Sequence, residues 1–280
     1  MSAQQQEEWS QVLEPTQSMF RFNLRELWRY RDLISLFVRR DFIAVYKQTI
    51  LGPLWHLIQP IFTTAVYVMF GGLAKIETDD IPRVVFCLTG VVLWNYFSSC
   101  LTKTASTFTS NANIFGKVYF PRLTVPISII ISNLMSFFIQ LLLLLPVLII
   151  YHSAVHLNIY LLAVPVVIFV LAMMGLGAGL LVSSLTIKYR DLTYLVTFGV
   201  QLAVYATPII YPLSKLSGKA LMVAQLNPVS SLVELFRFGL FGKGTFTPES
   251  ILYSTVFSVV LLVFGLLMFN RVERDFMDTV

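Results

Sequence analysis

Few residues in this chain are typed and spaced for covalent chemistry. His152 and His156 stand four apart, the spacing at which one helix face can offer two metal ligands. No cysteine or carboxylate accompanies them in sequence, so a metal is not expected. Phe238–Thr245 reads FGLFGKGT, a partial likeness to a phosphate loop. The GxxxxGK spacing demands glycine at 237, where the chain has arginine, so no nucleotide is expected to bind there. Cys87 and Cys100 lie 13 apart in one apolar run, too far along a helix to bridge. They read as small core residues. Glu234 and Arg237 stand at i, i+3 and can pair. Hydrolysis or group transfer would need paired carboxylates, a histidine cluster or an activated nucleophile, and none is evident. The expectation is a protein that is not an enzyme.

What the sequence does offer is neutral. Tyr194, Phe198, Gln201, Tyr205, Pro208 and Tyr211 recur every three or four residues. At ~100° per residue they share one helix face, and Leu, Val and Ala fill the other. Trp55, Gln59, Phe62, Thr63 and Phe70 form a looser stripe of the same kind. Rings pack on the C–H faces of pyranoses, while amides and hydroxyls exchange hydrogen bonds with sugar hydroxyls. Such contacts are individually weak and repeat along a polymer, which suits a chain that slides. The competing reading is that these rings pack helix against helix. The pattern by itself leaves both open.

The elements that carry these stripes are apolar. The 280 residues are 56% hydrophobic and 12% charged, against about 25% charged in a soluble domain. Six apolar runs, at about 54–74, 83–103, 124–151, 158–186, 191–213 and 250–270, approach the ~20 residues that a helix needs to cross ~30 Å of hydrocarbon. Pro146 and Pro165 lie inside the third and fourth, where kinks are expected. The expected architecture is an all-α integral membrane protein. It has a flexible cytoplasmic segment 1–21, an amphipathic interface segment 22–48, and a six-helix domain 49–280. The first twenty residues are polar and lack the apolar centre of a signal peptide, so they are expected to stay in the cytoplasm. Asn23, with Glu26 three places on, can open the interface helix as a capping box. With the N-terminus inside, 14 of the 20 Lys and Arg residues fall on the cytoplasmic side and 6 outside. The positive-inside rule then puts both termini in the cytoplasm of a multi-pass protein. The net charge of +5 is read as facing a cytoplasmic leaflet, with no nucleic acid partner.

The charge pattern also excludes a class. All fifteen acids lie outside these runs or at their ends. A carrier driven by protons or ions needs ionisable groups at mid-membrane depth, and this chain offers none. Two connecting segments have more character than linkers. Residues 104–123 are polar, then aromatic and basic. Residues 214–249 contain an apolar stretch, 229–240, too short to span, which suits a re-entrant hairpin. Gly175 and Gly179, with Gly177 between, suit close helix packing.

Several motifs in order carry a family resemblance. They are Tyr46–Trp55 (YKQTILGPLW) with Gln59-Pro60, Lys117–Arg122 (KVYFPR), Lys188–Leu192 (KYRDL), Thr207–Pro212 (TPIIYP), and Asn227-Pro228 followed by Glu234 and Arg237. With these, over about residues 22–275, the chain resembles the permease subunits of type-2 ABC transporters that export O-antigen, capsule or teichoic acid. The resemblance implies a homodimer in the bacterial inner membrane, with two copies of a separate cytoplasmic P-loop subunit that binds ATP and Mg. No cofactor is then bound by this chain. It implies that the loop with Asn113, Lys117, Tyr119, Phe120, Pro121 and Arg122 receives the ATPase stroke. Asn227, Pro228, Glu234 and Arg237 would lie in an external re-entrant hairpin. A lipid-linked polysaccharide, best matched by an O-antigen, would pass between the two permeases along the stripes.

Overall fold

A computed structural model describes residues 24–47, 51–115, 117–118, 120–189 and 191–277. Every regular element among them is helical. Two short helices come first, α1 (Leu24–Arg29) and α2 (Arg31–Tyr46). The expected cap residue Asn23 lies outside the described residues. A 3-10 turn at Gly52–Leu54 leads into α3 (Trp55–Leu73), and α4 (Arg83–Ala105) follows. Then come α5 (Thr107–Phe115), α6 (Thr124–Ile150), α7 (Val164–Thr186) and α8 (Leu192–Ala203). The chain ends with α9 (Gly218–Leu226), α10 (Pro228–Phe241) and α11 (Pro248–Met277).

Five of these helices are long and apolar enough to cross a membrane: α3, α4, α6, α7 with its preceding 3-10 turn, and α11. Pro165 does not interrupt a span. It opens α7 at the first turn, where a missing N–H costs nothing. Residues 191–213 are not one continuous helix. The apolar helix there runs from Leu192 to Ala206, its last turn 3-10. Thr207 is extended (φ −101°, ψ 140°) ahead of Pro208, because a residue before proline is driven out of the α region.

The core forms around α4, whose central residues are almost fully buried. α4 packs on α3, α6 and α7, and α7 packs on α11. Glycine makes the last contacts possible. A Cβ on Gly175 would lie 2.6 Å from Cys100 Cβ of α4, and one on Gly177 would lie 2.6 Å from the Leu262 backbone of α11. The close approach expected of this small-residue run is therefore present on two faces of α7.

Candidate functional site: a neutral cleft and its two fastenings

A cleft of about 490 Å³ opens between α3, α4 and α8. Gln59, Thr63 and Tyr67 line it from α3, Trp94, Asn95 and Ser98 from α4, and Phe198, Gln201 and Tyr205 from α8. No ionisable group other than the two tyrosines is in the lining. The two stripes read from sequence thus meet, but only in part. Gln59, Phe198, Gln201 and Tyr205 face one space. Trp55, Phe62 and Phe70 lie exposed on α3, and Tyr194 is 81% exposed near the start of α8. Tyr211 has left the helix, and its hydroxyl donates to the Tyr205 carbonyl at 2.9 Å. Helical spacing therefore does not place Pro208 or Tyr211 on the stripe.

Sequence reasoning missed the α4 wall. Its signal was available: Asn95, Ser98 and Thr102 recur at three and four residues inside an apolar run. Ser98 Oγ donates to the Asn95 carbonyl at 3.3 Å and Thr102 Oγ1 to the Ser98 carbonyl at 2.8 Å. Asn95 reaches Gln140 of α6 at 3.4 Å, and Lys103 Nζ donates to Asn133 Oδ1 at 2.8 Å. A polar seam thus joins α4 to α6 within apolar surroundings.

Next to the cleft, behind Ile209, lies a buried ion pair. Arg237 and Glu234 are 0% and 1% exposed, and Arg237 Nη1 lies 3.0 Å from Glu234 Oε1. The same guanidinium donates to the carbonyls of Pro208 at 2.5 Å, Phe86 at 3.0 Å and Ile209 at 3.3 Å. It also sits 3.5 Å from the centroid of the Phe86 ring. These carbonyls explain the arginine. The chain stops being helical at Thr207, so Pro208 and Ile209 present backbone acceptors to a buried, water-poor site. A planar fork with five donors can serve several of them at once. Glu234 balances the charge and accepts from the Thr245 N–H at 2.9 Å. Gly90 makes room, since a Cβ there would lie 2.9 Å from Arg237 Nη2. Asn227 completes the fastening. Its side chain caps α10 by accepting from the Val229 N–H and donates to Thr207 Oγ1 at 2.8 Å. Pro228 occupies the first turn of that helix.

Around this pair, exposed polar contacts tie the α3–α4 loop to later segments. Lys215 Nζ meets Glu77 at 2.5 Å, Ser214 donates to Asp79 at 2.7 Å, and Lys243 meets Asp80 at 3.0 Å. Glu77 holds the Lys215 ammonium above the ordinary lysine range through a hydrogen bond and charge attraction.

At the other end, aromatic rings do the fastening. Phe108 of α5 stacks on Phe269 of α11 at 4.7 Å and meets Phe115 at 5.8 Å. Phe115 meets Phe120 at 5.7 Å, and Phe120 meets Phe37 of α2 at 5.7 Å. The Arg122 guanidinium lies 5.6 Å from the Phe115 ring. Phe120 and Arg122 are therefore inside, with Pro121 half-buried. Asn113 near the end of α5 is exposed, as are Lys117 and Val118 after it. Tyr119 lies outside the described residues. His152 and His156 are exposed, and among the described residues no group of three His, Cys, Asp or Glu could hold a metal.

The sequence is also similar to known proteins. The chain is 29% identical over 261 residues to the O-antigen export system permease protein RfbA of Klebsiella pneumoniae, covering 92% of this chain and 97% of that one. It is 28% identical to the protein of the same name from Myxococcus xanthus, covering 92% and 98%. It is 22% identical over 252 residues to the capsule polysaccharide export inner-membrane protein CtrC of Neisseria meningitidis serogroup B, covering 87% and 92%. The family model described as ABC-2 type transporter matches residues 32–241. Three quarters of the chain lies within that match, and the chain belongs to the ABC-2 type transporter family.

Proposed function

We propose that this chain is the membrane permease of an ATP-driven exporter that moves a lipid-linked surface polysaccharide, of the O-antigen class, out of the cytoplasm. One observation carries the reading: the cleft between α3, α4 and α8 is lined by rings, amides and hydroxyls, with no carboxylate or cation in it. Such a surface matches a neutral glycan and offers nothing to a coupling ion. Relatives of nearly equal length bear O-antigen export names, which favours this glycan class over capsule or teichoic acid.

The path is completed by a second copy. α8 has no buried residue along Leu192–Ala203, and α3 buries only Pro60, Thr64 and Gly71. Two adjoining helices left this bare at the mouth of a polar cleft suit a symmetric partner better than lipid alone, so the functional unit is a homodimer. The segment after α8 completes a sixth crossing, and α9–α10 form a re-entrant hairpin whose plug is the Glu234–Arg237 pair. Both termini are cytoplasmic in the inner membrane. Energy arrives from two copies of a P-loop subunit holding ATP and Mg, which dock on the surface that exposes Asn113, Lys117 and Val118 while Phe120 and Arg122 hold that surface to the bundle.

The test is export in cells carrying Tyr205→Ala and Gln201→Leu. Surface glycan should fall while lipid-linked glycan accumulates inside, with the permease still in the membrane. Unchanged surface glycan in both variants would remove the cleft from the path.

A further inference from the structure

The loop 74–82, between α3 and α4, is built more stiffly than a connector needs. Lys75, Asp79 and Asp80 have φ of 52°, 52° and 59°, the left-handed region that glycine occupies at least cost. Around them the backbone is pinned. The Ile76 N–H donates to the Gly71 carbonyl at 2.9 Å, and Arg83 Nη2 donates to the Ile76 carbonyl at 2.7 Å. The Ile81 N–H donates to the Thr78 carbonyl at 2.9 Å, Thr78 Oγ1 returns a bond to the Ile81 carbonyl at 2.6 Å, and the Ile81 side chain is buried. Glu77, Asp79 and Asp80 therefore stand on a strained, fixed frame. Such a frame persists only where its surroundings hold it.

Each carboxylate has a partner, and the partners differ in their footing. Asp80 meets Lys243 at 3.0 Å. Lys243 follows directly on α10, whose end is bolted down. Asn158 Nδ2 donates to the Phe238 carbonyl at 2.7 Å, and the Phe238 ring meets those of Tyr160 and Phe246 edge-on at 5.1 Å each. Asp79 accepts the Ser214 hydroxyl at 2.7 and 2.8 Å on its two oxygens, and Glu77 meets Lys215 at 2.5 Å. Ser214 and Lys215 lead into α9, which is lightly held. It buries only Ala224 and leaves Met222, Val223 and Leu226 exposed. Its C-terminal foot is tied, because the Leu226 carbonyl accepts from the Tyr253 hydroxyl at 3.0 Å and Asn227 beyond it grips Thr207. At its start Gly218 turns through φ 57°, with open space where a Cβ would sit. α9 thus has a fixed foot, a turn with room around it, and two exposed polar contacts restraining the chain just before that turn.

We infer that the loop 74–82 is a catch: Asp80 stands fixed on Lys243, while Glu77 and Asp79 hold Lys215 and Ser214 and release them so that α9 can shift during the transport cycle. This rests on the export reading. Exposed ion pairs and hydroxyl bonds are individually weak and exchange with water, which suits a hold that is made and broken repeatedly. The Arg237 bonds nearby cannot part in this way without stranding a buried charge and buried carbonyls. With α10 and residues 206–209 bolted, α9 is the element at this end that can give way. Release also parts three neighbouring like charges from two of their partners, so the loop gains by closing again.

The experiment uses the full-length permease with its ATP-binding partner in cells. Asp79→Cys with Ser214→Cys is joined by a short, membrane-permeant, reducible bis-thiol cross-linker; Cys87 and Cys100 are buried. Cross-linking should abolish new surface glycan, and reduction should restore it. Ser214→Ala with Lys215→Met removes both catch contacts and leaves the loop and Lys243 unchanged. In detergent this variant should exchange amide hydrogens at residues 214–220 about threefold faster or more, with residues 204–212 unchanged. Full export by the cross-linked permease overturns the inference, since the catch then never opens. Unchanged exchange at 214–220 overturns it too, since the contacts then hold nothing. Loss of export, or of the protein itself, in the reduced cysteine pair or in the Ser214→Ala, Lys215→Met variant marks the loop as a fixed brace and not a catch. If surface glycan does not depend on the wild-type permease, the export reading fails, and hydrogen exchange still shows whether Glu77 and Asp79 restrain α9.

Discussion

Replacing Arg237 by methionine should loosen the whole end of the protein built around α10. The guanidinium serves Glu234 and the three carbonyls of Pro208, Phe86 and Ile209, and stacks on the Phe86 ring. Methionine keeps most of the volume and removes every donor. Breaking a buried ion pair from one side costs about 3–5 kcal/mol, because the remaining charge is stranded. The upper part of that range applies here. The orphaned carbonyls of Pro208 and Ile209 have no helical donor, since the chain turns at Thr207. Glu234 keeps the Thr245 N–H, which softens its loss. Adding Glu234→Gln to the variant removes the stranded charge and should recover roughly 1–3 kcal/mol of it. Lysine at 237 should recover less than its charge suggests, since one ammonium cannot span acceptors arranged around a planar fork. Thermal unfolding of the detergent-solubilised protein gives the stability, and hydrogen exchange at residues 204–212 localises the change. If Arg237→Met melts with the wild type and those amides stay protected, the account of the broken helix is wrong.

Three further outcomes are expected. Gly177→Leu should prevent stable assembly, because even a Cβ would lie 2.6 Å from the Leu262 backbone; overpacking of this kind costs about 1–3 kcal/mol or more, read as loss of folded protein in the membrane. Phe120→Ala should leave the dimer intact but separate ATP hydrolysis from export, since the ring bridges Phe115 and Phe37; normal transport per ATP would exclude the loop from coupling. The Lys215–Glu77 contact should persist below the ordinary lysine pKa and be lost as pH rises through the higher folded value, the direction a raised folded pKa dictates; faster hydrogen exchange in residues 74–82 at strongly alkaline pH, absent in Glu77→Gln, checks it.

The long apolar runs were legible because composition and length decide them, and burial by lipid asks for little else. The fifth run was not, and the reason is local. Hydropathy continues through Thr207–Pro212, so a window reads helix, while Pro208 and Pro212 break it. The partner that makes the break tolerable, Arg237, lies 28 residues from Ile209 in sequence. The i, i+3 spacing of Glu234 and Arg237 announced their pair but not the three carbonyls. The cleft was half legible. Period alone found Gln59, Thr63, Phe198, Gln201 and Tyr205, yet it could not separate rings facing the cleft from Phe62 and Phe70 on the open face of α3, nor show that Tyr67 and Trp94 join them.

The two ends of the bundle are held by different physics, and this bears on how a stroke could cross it. At one end, α10 is fixed through directional bonds to buried carbonyls, which hold one geometry and tolerate little displacement. At the other, α2, α5 and α11 meet through tilted or stacked phenylalanines, contacts that can shift by small steps without leaving a polar group unpaired. Between them α8 is tied at its C-terminal end, where Asn227 and Arg237 hold residues 206–209, and carries no buried residue along Leu192–Ala203. An element anchored at one end and uncovered along its side is the one that can swing with least cost. It is also the element that brings Phe198, Gln201 and Tyr205 to the cleft, so displacement at the phenylalanine end would widen the cleft while the Arg237 fastening keeps its register.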